Sequence, residues 1–120
     1  MRPLIIALAT LLMTGPALAE WDCQIERSYK CDSAGKCERE KATARVRLSD
    51  DKLQYRSCLT ECEEGAVMLR RNFFGSIYRH VGTDKYVRTM MRSRSGEYSE
   101  QTEAPDGAVI SVAFGACAWL

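Results

Sequence analysis

The sequence predicts an all-β fold, a small antiparallel meander or barrel-like domain of six to eight short strands stapled by up to three disulfides. Three observations predict it. Apolar and polar residues alternate with period two in several short runs, turn signals recur at short intervals, and six cysteines follow an export-type leader.

The leader comes first. Of the 120 residues, 1–19 have the pattern of a cleavable secretory signal: Arg2, an apolar run from Leu4 to Met13, the breaker Gly15-Pro16 and the small-residue end Ala17-Leu18-Ala19. The apolar run is shorter than the ~20 residues a membrane-spanning helix requires. Cys23 follows Glu20-Trp21-Asp22 rather than a small-residue lipidation motif. The expectation is a periplasmic or secreted protein with no transmembrane segment in the mature chain, and a single domain over residues 20–120. Arg2 is the only charge in the leader, so residues 20–120 carry bases and acids in equal number. A neutral domain of this size is not built as a general nucleic-acid binder.

An even cysteine count in an exported domain reads as a disulfide framework, and six cysteines allow fifteen pairings. Spacing favours Cys31–Cys37 across the polar turn 32–36, Cys58–Cys62 across a three-residue turn, and Cys23–Cys117 tying the two ends together. The chain-entropy model assigns about 2 kcal/mol to each short loop and about 4.7 kcal/mol to the long one. That total rivals the whole net stability of a typical domain. Redox and zinc chemistry are the rival readings. The closest pair is Cys-x-x-x-Cys rather than Cys-x-x-Cys, no second half-site accompanies it, and His80 is the only histidine. No cofactor is expected.

Ala44-Arg45-Val46-Arg47-Leu48 and Leu53-Gln54-Tyr55-Arg56-Ser57 alternate on either side of Asp50-Asp51. They read as a hairpin with Leu48 opposite Leu53, Val46 opposite Tyr55, and Cys58 on the polar face. The segment from Thr60 to Arg71 carries a capping-box pattern but also Gly65 in its interior. A turn followed by a strand over Ala66–Arg70 is favoured over a short helix. Ser76–Val81 reads as a strand. Lys85–Arg94 and Glu97–Ala104 read as a hairpin about Ser95-Gly96, with Arg94 facing Glu97 and Arg88 facing Glu103. A last strand from Ala108 to Phe114, apolar on one face and small on the other, suggests a central, closely packed position.

Candidate sites are few. Residues 70–94 carry seven bases against one acid, and residues 95–120 carry four acids and no base. Arg88, Arg92 and Arg94 could form an anion-binding strand face for a polyanionic envelope polymer, or the two charge blocks could neutralise each other within one sheet. His80 has no companion at a catalytic spacing, and no nucleophile elbow or paired-carboxylate pattern occurs, so the domain reads as non-catalytic. Phe73 and Phe74 sit in a turn, where they either cap the core or project as a partner-binding tip.

Trp21-Asp22-Cys23, Tyr55-Arg56-Ser57-Cys58 with Cys62, and Phe114-Gly115-Ala116-Cys117 resemble small exported, cysteine-bridged, β-rich proteobacterial proteins of uncharacterised function. That resemblance implies a periplasmic β domain and no particular activity. Ser95-Gly96-Glu97-Tyr98 is similar to the Ser-Gly-x-x-Tyr loop of the periplasmic inhibitors of c-type lysozyme, which are small β-barrels, but is one residue shorter. Their second, Lys-Gly loop has no counterpart after Lys85. The resemblance implies a protein partner contacted through Ser95, Gly96 and Tyr98. Together these readings describe a non-catalytic binding protein, with a structural or stress-related envelope protein contacting polyanions and a small hydrolase with a site assembled across strands as the alternatives from other classes.

Overall fold

A computed structural model describes residues 20–41 and 44–120; the export-type segment lies outside the described residues. The described chain is all-β. Its strands are β1 (Glu20–Cys31), β2 (Cys37–Glu40), β3 (Arg45–Ser49), β4 (Gln54–Cys58), β5 (Cys62–Ala66), β6 (Met68–Asn72), β7 (Gly75–Val81), β8 (Val87–Ser93), β9 (Glu97–Glu103) and β10 (Val109–Trp119). They form one antiparallel sheet in the order β5-β4-β3-β1-β10-β9-β8-β7-β6, with β2 paired to the far end of β1.

The order explains how the sheet closes. First and last long strands lie side by side over nine paired positions, Trp21↔Trp119 to Lys30↔Ser111. The two strands at the ends of the sheet, β5 and β6, are consecutive in the chain and separated only by Val67. Val67 is buried, and its N–H donates to the Leu53 carbonyl. The run 62–72 therefore gives its first half to β4 and its second half to β7, and the sheet curls into a nearly closed barrel. Closure leaves few unpaired edges for a second chain to extend. The segment from Thr60 onward is a turn followed by strand, as its composition favoured, and the strand is longer than Ala66–Arg70.

All three expected disulfides are present: Cys23–Cys117, Cys31–Cys37 and Cys58–Cys62, with no free cysteine among the described residues. Cys23 and Cys117 are directly opposite one another on β1 and β10, so the longest loop is sealed where the ends of the meander meet. Cys58 and Cys62 face each other across the β4–β5 turn, and Cys62 is exposed.

Two registers differ from the expected ones. In β3–β4 the turn occupies residues 50–53, with Leu53 at φ +52°, so Leu48 pairs with Tyr55 and Val46 with Ser57. The slip is two residues, so Val46, Leu48, Tyr55 and Ser57 keep their expected faces, while Leu53 moves into the turn and is exposed. In β8–β9 the loop takes three residues, 94–96, with Gly96 at φ +93°. Arg92 now pairs with Tyr98 and Arg88 with Thr102, a one-residue slip that turns Tyr98 and Glu100 inward. The last strand is central, between β9 and β1. Ala113 is buried on its inner side, while Phe114 is exposed on the outer side. A Cβ on Gly115 would strike the Gln24 carbonyl of β1, which is why a glycine stands at this close approach.

Candidate functional site

The barrel interior is unusually polar for a domain of this size. On β8 the inward residues are Arg88, Met90 and Arg92, with Met90 fully buried between the two cations. Each guanidinium gathers its own set of partners, so the charge of β8 is spent inside the barrel.

Around Arg92, toward the end that carries the chain's first and last described residues, Nη2 donates to Ser76 (3.1 Å) and to the Tyr78 hydroxyl (3.4 Å). It lies 3.8 Å from the Asp50 carboxylate, and the guanidinium stacks 3.7 Å from the Trp21 ring centroid. The Tyr78 hydroxyl donates to Asp50 at 2.6 Å, and Arg71 reaches the same carboxylate from outside at 3.3 Å. Asp50, placed in a turn by its sequence context, is thus a buried acceptor closing this end. Around Arg88, Nη2 donates to Glu100 (2.9 Å) and Ser57 (3.3 Å), and Nη1 to Glu63 (3.0 Å). The Tyr98 hydroxyl donates to Glu100 at 3.0 Å, and Tyr55 lies beneath the Arg88 guanidinium. Burial works against the Arg88 charge, but Glu100 beside it holds the guanidinium above its ordinary range.

Burial pushes the Tyr78 phenol up to about 12, with its hydrogen bond to Asp50 adding to the shift. Burial, then Glu100, also raises Tyr98, and burial, then Glu63, raises Tyr55. The sign follows from proton counting. In the unfolded chain a tyrosine ionises near pH 10, so above that pH the unfolded state sheds protons that the barrel retains. Stability contributed by these phenols is therefore complete below about pH 10 and is lost as the pH rises toward about 12. Denaturant midpoints across that window are expected to fall steeply, and Tyr78→Phe is expected to flatten the fall; an unchanged pH profile in Tyr78→Phe would contradict this assignment.

The expected anion-binding strand face is corrected by these positions. Arg88 and Arg92 point inward with their charges paired, because alternation about the buried Met90 dictates it; only Arg94 of the three is exposed. Tyr98 is corrected likewise: it is 2% exposed, its hydroxyl is bound to Glu100, and it does not share a surface with Ser95. The reading in which the basic and acidic blocks neutralise each other in one sheet fits the Arg88–Glu100 pair, although the partner is Glu100 rather than Glu103.

The two ends of the barrel differ. The end formed by the β7–β8 and β4–β5 turns has a cleft of about 530 Å³ lined by Tyr55, Glu63, Glu64, His80, Tyr86 and Arg88, among others. His80 Nδ1 lies 2.7 Å from the Ala66 carbonyl and its ring packs against Tyr55, so this histidine helps hold β7 to the β5–β6 strand. The opposite end carries paired turns. Phe73 and Phe74 stand 76% and 77% exposed, which resolves the two readings of this pair in favour of projection. Their turn is firmly built: the Asn72 side chain accepts from the N–H groups of Phe74 (2.8 Å) and Gly75 (3.0 Å), and the Phe74 carbonyl accepts from Arg94 N–H. The Arg94 guanidinium lies 5.3 Å from the Phe73 ring centroid. In the neighbouring turn the Ser93 and Ser95 hydroxyls are 3.0 Å apart, and Gly96 supplies the positive φ. Ser95, Gly96, Phe73 and Phe74 are therefore brought together, and Tyr98 is not.

Among the described residues, no three His, Cys, Asp or Glu side chains gather to hold a metal ion, and no helix is long and apolar enough to cross a membrane. Comparison with family models, with curated proteins and with solved structures found no match.

Proposed function

We propose that this is an exported, non-catalytic binding protein that grips a protein partner with the paired turns of one barrel end. The observation that carries the reading is the exposure of Phe73 and Phe74 on a turn pinned by hydrogen bonds from the Phe74 and Gly75 N–H groups to Asn72 and from Arg94 N–H to the Phe74 carbonyl. Two large aromatic rings presented on a rigid support lose little conformational entropy on docking, and aromatic residues of this kind dominate the energetics of protein interfaces. Arg94 adds a cation above Phe73. The fitting partner surface is an apolar recess with carboxylates at its rim.

An enzyme cleft of the lysozyme type has that chemistry, since glycoside hydrolases hold paired carboxylates beside the substrate groove. The similarity of Ser95-Gly96 to the loop of lysozyme inhibitors supports the same end of the barrel. Export rests on the leader pattern of residues 1–19 and on three disulfides, which persist in oxidising compartments. A polyanionic polymer is the weaker reading, because Arg88 and Arg92 are engaged inside the barrel.

The test uses immobilised oxidised protein against a c-type lysozyme and against envelope extract. Phe73→Ser with Arg94→Ser is expected to weaken the captured partner by about 30-fold or more, the equivalent of an interface hot spot. Both side chains are at the surface, so the variant's thermal melt is expected to match that of the original protein. Capture of the same partners at unchanged affinity by that variant would overturn the reading.

A further inference from the structure

The outer face of the barrel carries a second apolar feature, on strands rather than turns. One cross-strand row runs Ile77↔Met91↔Ser99↔Phe114↔Arg27 across five neighbouring strands. Met91 and Phe114 are each 38% exposed, and together with Ile77 and Phe74 they line a shallow groove of about 390 Å³. A smaller hollow of about 170 Å³ adjoins it, sharing Phe114 and Glu97 and adding Glu26 and Arg27. The Arg27 guanidinium sits 5.3 Å from the Phe114 ring centroid, and neither it nor Glu26 nor Glu97 forms a salt bridge among the described residues.

We infer that this face seats a second copy of the chain in a two-fold dimer. An apolar centre bordered by one unpaired cation and two unpaired carboxylates is self-complementary: a two-fold axis through it can place Arg27 of each copy near a carboxylate of the other. A partner segment of a single charge sign would meet a like charge on part of the same rim. The face shares Phe74 with the paired-turn surface, but Phe73, Arg94 and Ser95 line neither hollow, and the charged residues Glu26, Arg27 and Glu97 that decide the pairing belong to β1 and β9. The inference therefore does not depend on the proposed partner.

The charge pattern also supplies the test. Arg27→Glu makes the rim wholly acidic, and Glu26→Arg with Glu97→Arg makes it wholly basic. Sedimentation equilibrium of the oxidised protein at low salt is expected to show concentration-dependent dimers for the original sequence and monomers for each variant alone. An equimolar mixture of the two variants is expected to regain the dimer mass, because the acidic face now meets a basic one. Circular dichroism confirms that both variants fold, as all three positions are exposed. A monomeric original protein, variants that still self-associate, or a mixture that stays monomeric would each overturn the inference. Loss of partner capture without loss of the dimer would instead count against the proposed function alone.

Discussion

Replacing Cys23 and Cys117 by alanine is expected to remove about 4.7 kcal/mol of stability, the largest effect of any single crosslink in the molecule. The pair closes a span of 94 residues, so its absence frees nearly the whole described chain in the unfolded state. It also joins β1 to β10 at directly opposed positions, where the meander returns to its start. Alanine is the informative replacement, because Cys23 is fully buried and a serine would place an unpartnered hydroxyl in the core. Removing Cys58 and Cys62, which span four residues and sit at the surface, is expected to cost only about 2 kcal/mol. Since a domain of this size holds roughly 5–15 kcal/mol in total, the first variant is expected to be marginal at ambient temperature and the second well folded. Urea midpoints of the two variants decide the matter. Equal losses would show that loop length is not what governs these bridges.

The crosslinks and the strands were legible in the sequence because both are local signals. Cys31–Cys37 and Cys58–Cys62 flank short polar turns, and Cys23–Cys117 follows once those two are assigned. Register was less legible, because it depends on loop geometry that composition only outlines. Leu53 at positive φ lengthens the β3–β4 turn by two residues, which is harmless to the inside-outside pattern. Arg94 joins the β8–β9 loop, and that single residue reverses the faces of β9. The inward position of Tyr98 follows from that slip, while that of Arg88 and Arg92 follows from alternation about Met90. Tyr98 and Glu100 changed sides together, and with Glu100 inside, Arg88 had a buried acceptor to meet.

The interior polarity has a structural logic that the strand pattern contains in part. Arg88-x-Met90-x-Arg92 places two cations on the same side as a residue that must be buried, so the strand forces both indoors. What the pattern lacks is the identity of the acceptors, since Asp50, Glu63 and Glu100 come from three other segments. The barrel thus combines crosslinks that restrict the unfolded chain with ion pairs that fix how its strands meet. Its paired turns, anchored at Asn72 and Arg94, extend from that fixed frame.

The acceptor at the Arg92 end supplies the second large effect. Asp50→Ala is expected to destabilise the barrel by about 3–5 kcal/mol, because it strands a buried guanidinium rather than merely deleting a bond. The Asp50 side chain is 5% exposed; it accepts from Tyr78 at 2.6 Å and Arg71 at 3.3 Å and forms an ion pair with Arg92 at 3.8 Å. After the change, the Tyr78 hydroxyl loses the carboxylate to which it donates, and Arg92 keeps Ser76 and the Trp21 ring without a counter-charge among the described residues. Arg71→Ala removes only the exposed partner, whose side chain is 65% accessible, and is expected to cost no more than about 1 kcal/mol. Arg92→Met removes the buried charge instead, and combining it with Asp50→Ala leaves neither ion unpaired. The double variant is therefore expected to be less destabilised than the sum of the single ones, by roughly 1–3 kcal/mol in a urea-unfolding cycle. Strict additivity would mean that Asp50 and Arg92 do not act as a pair, and that this end of the barrel is held by Trp21 and the β1–β10 crosslink instead.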